Sequence, residues 1–277
     1  MQEQARYHAK LAVQLADEGQ WSAALEHAHA CRDLALAGSS LSVWALHALA
    51  CIYADAGRSG RAQRYARAYL AQVSDHPSLE RFTPFVLHAM GSAYYQVGRW
   101  PASFHWFNRA LVEFARLGYT GKVQVTSVNL AWTLIRMGRP AAAQAILPSR
   151  DLFPADLAYT HDGAQAAILA AGGQYQVAVE LGRLGLSALS RRSCDFAEAA
   201  EVALVVARAL RSLGENSEAS AYIRTAAELC ALQRWDAVVR LLLSERAGGG
   251  ELPNEPAASS RGSADLHHLG CFSTGVA

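Results

Sequence analysis

Apolar residues recur along this chain at helical spacing. Leu87, Met90 and Tyr94 mark one stripe, and Phe104, Phe107, Leu111 and Phe114 mark a second, with Gly98 between them. Positions three and four apart share one face of a helix, so each stripe predicts an amphipathic helix of about four turns rather than a strand. Gly98 stands where the first helix must stop, because a helix C-terminal cap favours the left-handed conformation that glycine adopts without steric penalty. Pro101, and Pro140 after the corresponding Gly138, fall in the first turn of the next helix, where a missing N–H does no harm.

The unit repeats. Glycines at Gly19, Gly57, Gly98, Gly138, Gly173 and Gly214 are spaced 38, 41, 40, 35 and 41 residues apart. Seven residues before them stand Ala12, Ala50, Gly91, Ala131, Ala166 and Ala207; five residues after them stand Ala24, Ala62, Ser103, Ala143, Ala178 and Ala219. Small residues at two fixed phases predict paired helices in close approach, in six hairpins over about 3–38, 41–74, 80–118, 122–147, 156–190 and 194–231. One hairpin cannot bury its own stripe, so neighbours must stack. Pro148 cuts the second helix of the fourth hairpin short, and Pro154 holds the following connection open. The run from Trp235 to Leu243 reads as a further amphipathic helix that caps the stack. Residues 1–246 are expected to form the repeat domain. Residues 247–277, opening on Gly248, Gly249 and Gly250 and lacking an apolar period, are expected to be a disordered tail.

Composition narrows the function classes. Against 25 basic side chains stand 24 acidic ones, for a net charge of +1, which argues against direct nucleic-acid binding. The five cysteines, Cys31, Cys51, Cys194, Cys230 and Cys271, form no CxxC pair and read as reduced thiols of a cytoplasmic protein. The N-terminal residues lack the layout of a signal peptide, and no apolar run reaches the ~18 residues of a membrane span. HExxH, GxSxG, the phosphate loop and the dinucleotide glycine fingerprint are all missing, so the reading is a binding protein without catalytic activity or cofactor. His47 and Cys51, one turn apart, and His88 in the next unit lack a clear fourth ligand, so no metal site is expected.

These positions resemble the tetratricopeptide repeat. The third unit is closest, with Leu87, Gly91, Tyr94, Gly98, Trp100, Phe107, Ala110 and Leu111 on that family's pattern. The unit length is nearer 40 residues than the family's usual ~34, which is similar to sensor regions of bacterial transcriptional activators and to peptide-responsive regulators. The resemblance implies an all-α, right-handed superhelical solenoid of about six hairpins with a C-terminal capping helix. It also implies that the first helix of each hairpin lines a concave groove for a protein or peptide ligand.

Counting back from each glycine, the inward positions in units two to four present aromatics, histidines and amides: His47, His88, Ser92, Tyr95, Gln96, Asn129, Trp132 and Arg136. Unit five presents Gly163, Ala164 and Ala167, and unit six Glu201 and Arg208. Such a lining suits a peptide, since aromatics supply contact area and amides or Arg hold backbone and carboxylate groups. Asn129, Trp132 and Arg136 share one helix face at i, i+3 and i+7, and Glu201 stands as an isolated carboxylate. The expected binding residues are therefore His47, His88, Tyr95, Gln96, Asn129, Trp132, Arg136 and Arg208. The alternative function is a sensor region working with a separate or missing DNA-binding module.

Overall fold

A computed structural model describes residues 1–153, 158–187, 196–232 and 236–246. The expected tail, Pro154 and Trp235 lie outside the described residues. Thirteen α-helices are present among those described, and no strand. They pair as α1 (Gln2–Asp17) with α2 (Trp21–Leu34), α3 (Ser40–Asp55) with α4 (Ser59–Leu70), and α5 (Thr83–Gln96) with α6 (Trp100–Arg116). The series continues as α7 (Thr120–Arg136) with α8 (Pro140–Ile146), α9 (Ala158–Ala171) with α10 (Tyr175–Ser187), and α11 (Phe196–Ser212) with α12 (Asn216–Leu232). A final helix, α13 (Asp236–Arg246), packs on α11 and α12.

The turn inside each hairpin follows one recipe. All six phased glycines have positive φ, between 69° and 84°. In the third hairpin the Gly98 N–H bonds to Tyr95 O and the Arg99 N–H to Tyr94 O, each at 2.9 Å, which satisfies the last free carbonyls of α5. Arg99 O then accepts from the Ser103 N–H at 2.9 Å, opening α6. In this hairpin the residue five after the glycine is thus the first to close a hydrogen bond in the second helix.

All twelve phased small residues are buried. In the third hairpin the two phases touch: the Ser103 hydroxyl donates to Gly91 O at 3.0 Å. A Cβ on Gly91 would stand 2.5 Å from the Phe107 ring, so the aromatic of α6 occupies the space that the missing side chain leaves. The fourth hairpin is short as expected, since α8 has only seven residues and buries Ala143 alone.

Two layers result. Odd-numbered helices pack side by side, α1 on α3, α3 on α5, α7 on α9, α9 on α11 and α11 on α13. Even-numbered helices pack against them as the second layer, α2 on α3, α4 on α5, α6 on α7 and α10 on α11. Between α4 and α5 the chain makes 3-10 turns at Val73–Asp75 and Pro77–Phe82, held by the Tyr69 hydroxyl donating to Leu79 O at 2.6 Å. Cys31, Cys51 and Cys230 are buried free thiols.

Candidate functional site

The layer of odd-numbered helices carries a cleft. Helix α5 contributes Ser92 and Tyr95, α7 contributes Asn129 and Trp132, and α11 contributes Glu198 and Glu201. Each helix thus presents a pair at i, i+3, the spacing that puts two side chains on one face. Phe107 of α6 completes the lining, reaching it past the bare backbone of Gly91. The cleft encloses about 320 Å³ including its open mouth.

Its centre is a buried three-residue cluster. The Tyr95 hydroxyl lies 3.0 and 2.9 Å from the two carboxylate oxygens of Glu201, to which it donates. Arg136 Nη2 donates to Glu201 Oε1 at 2.8 Å. The Arg136 and Glu201 side chains are 5% and 1% exposed, so the ion pair is almost fully removed from water. Burial, and then the neighbouring carboxylate, hold the Tyr95 phenol well above its ordinary range. Burial works against the charge of Arg136, but Glu201 and Tyr95 more than offset it and raise its pKa.

Beside this cluster Asn129 Nδ2 donates to His88 Nε2 at 3.0 Å. An amide nitrogen only donates, so this ring nitrogen accepts. The His88 ring meets Phe107 edge-on, with centroids 5.1 Å apart. Trp132 is 4% exposed; its ring lies 5.7 Å from the Arg136 guanidinium carbon. It also abuts Gly163 of α9, where a Cβ would come within 3.3 Å of Trp132 Cζ2. The small residues of the fifth hairpin leave the space into which Trp132 and the α11 valines pack.

The structure gathers Tyr95, Asn129, Trp132, Arg136 and His88 around one cleft. Three expected binding residues, His47, Gln96 and Arg208, lie elsewhere. His47 is buried against Phe82, with ring centroids 4.8 Å apart, and against Tyr69. The 3-10 segment Pro77–Phe82 covers this position of α3, which counting back from the glycine cannot reveal. Gln96 donates from Nε2 to Ala54 O at 2.7 Å and accepts from the Ser59 hydroxyl at 3.0 Å, tying the third hairpin to the second. Arg208 is half-buried on α11, seven residues beyond Glu201 and outside the cleft lining. Glu201 is not isolated, as the sequence led us to expect: it is paired with Arg136 and shares the cleft with Glu198. The i, i+3 relation of Glu198 to Glu201 on one predicted helix was the available signal for the second carboxylate.

Among the described residues no three His, Cys, Asp or Glu side chains converge as a metal site, and no helix is long and apolar enough to cross a membrane. No protein-family model and no curated protein matches the chain. Solved structures do match. NprR in complex with its cognate peptide NprX superposes with a TM-score of 0.63 at 15% identity, covering 82% of this chain and 66% of that one. The apo form of the quorum sensor NprR from B. thuringiensis gives 0.60 at 15% identity, over 90% of this chain and 71% of that one. A Rap protein complexed with Competence and Sporulation Factor gives 0.61 at 13% identity, over 82% and 64%. The fold is a tetratricopeptide-type helical-repeat solenoid. This solenoid spans about two thirds of the length of the chains it matches.

Proposed function

We propose that this solenoid is a peptide receptor without catalytic activity, and that it captures a peptide segment in the cleft on its odd-numbered helices. The observation that carries the reading is the convergence of Tyr95, Asn129 and Trp132 from two hairpins on a cleft opposite Glu198 and Glu201 of a third. Aromatic rings beside an amide and carboxylates provide contact area together with partners for backbone and side-chain polar groups. The likeness in fold to NprR, solved with its peptide NprX, supports the same reading. Glu201 is held by two donors, an arrangement that suits binding more than proton transfer. A regulatory role belongs to this proposal too, on the likeness to a quorum sensor.

The test is selection from a displayed library of random short peptides on the immobilised protein. The wild-type chain is expected to enrich a sequence motif. Asn129→Ala, and Ser92→Phe, which fills the cleft, are expected to weaken the selected peptides roughly ten- to a hundred-fold, the range of one or two lost polar contacts. Unchanged affinity in both folded variants rejects the cleft as the binding site.

A further inference from the structure

In a stacked repeat, contacts run between neighbouring units. Three bonds here skip units. Glu201 of the sixth hairpin is held by Tyr95 of the third, 106 positions away, and by Arg136 of the fourth, 65 positions away. Arg240 of α13 donates from Nη2 to Val97 O, 143 positions away, at 2.8 Å. Helix α13 therefore packs against α5 as well as ending the stack. Gly98 admits this contact: a Cβ there would stand 2.5 Å from Arg240 Nη2. The turn glycine serves both the left-handed cap and the docking of a guanidinium.

We propose that Glu201 and Arg240 form a two-point clasp that fastens the sixth hairpin and α13 onto the third hairpin and regulates entry to the cleft. The regulatory part rests on the cleft being the binding site. Both Tyr95 and Glu201 also line the cleft, so any occupant touches the inner fastening. The cleft's about 320 Å³ includes open solvent, and its enclosed part admits little more than a water. An extended segment needs the sixth hairpin to swing away. The inner fastening is suited to that. A buried ion pair gives back in attraction roughly what it loses in hydration, so this pair adds little to the closed form beyond its apolar packing and the open form is a minor population, while an intruding polar group can replace either partner. The outer fastening involves an exposed side chain of α13 and is weak by itself.

The experiment places a reporter inside the cleft of the full-length chain. Ser92→Cys puts a thiol on the lining with little change in volume, and N-ethylmaleimide labelling at that position is followed by peptide mass mapping. Labelling beyond that of the half-buried closed form tracks the open population, so adding Arg240→Ala is expected to speed it about two- to five-fold, the weight of one exposed contact. Cys31, buried in the first hairpin, is the internal control and is expected to label at an unchanged rate. Equal labelling rates of the Ser92→Cys thiol with and without Arg240 overturn the clasp. So does a parallel rise at Cys31, which reports general unfolding. The measurement involves no peptide, so it stands or falls apart from the library selection that tests the binding site.

Discussion

Glu201 is a buried carboxylate at the centre of the cleft's polar cluster. Its carboxylate accepts from Tyr95 and Arg136 in a place with almost no access to water. Removing it strands a buried guanidinium. Glu201→Ala is expected to destabilise the fold by about 3–5 kcal/mol in urea titrations, whereas the double change Arg136→Met with Glu201→Leu recovers most of that loss, because apolar residues of similar volume need no partner. If the double variant is as unstable as the single one, the deficit is in packing and not in stranded charge. The residue scale is also where sequence reading reached its limit. The inward positions of Tyr95, Asn129, Trp132 and Arg136 followed from helical phase alone. Their common partner did not, because phase places residues on a face but says nothing about which distant unit that face meets. His47 shows the same limit from the other side: its phase is inward, yet the Pro77–Phe82 segment packs over it.

At the scale of the helix and its turn, the two kinds of phased glycine position make different demands. Gly173 has φ of +79° and open space around it, so an added methyl meets nothing but the backbone conformation is strained. Gly91 is helical, and its missing Cβ is taken by the Phe107 ring. Gly173→Ala is expected to cost roughly 1–2 kcal/mol whatever its neighbours are. Gly91→Ala is expected to cost a similar ~1–3 kcal/mol from overpacking, partly offset by better helix propensity, and to be relieved by Phe107→Leu. Denaturation of the two single variants, each with and without Phe107→Leu, checks this; equal relief of both by Phe107→Leu refutes the distinction. These elements were the most legible part of the chain. A left-handed turn and a close helix crossing are each met by very few residue types, so they leave a periodic trace. The 3-10 connection before α5 leaves none, since a loop held by Tyr69 and Leu79 has no period to read.

The whole molecule departs from a simple spring of stacked units. Bonds from the third and fourth hairpins to the sixth, and from α13 to the third, add cooperativity that nearest-neighbour stacking lacks. The wild-type chain is expected to unfold in one transition. In Arg240→Ala, hydrogen exchange in α11–α13 is expected to run ahead of that in α1–α4, splitting the transition; a single coincident loss of protection in the variant shows that stacking alone carries the coupling. The fifth and sixth hairpins add a constraint of another kind. Val202 Cγ2 sits 2.3 Å from where a Cβ on Gly163 would be, and Val206 Cγ2 sits 2.4 Å from the same point at Gly182. Each of those methyls fits only opposite a residue that has none, like a key cut for one ward. Despite their shared turn, the hairpins are therefore not interchangeable beads. A shuffled order, or a chain rebuilt from copies of its most regular unit, would keep the two-helix motif and lose the mating surfaces.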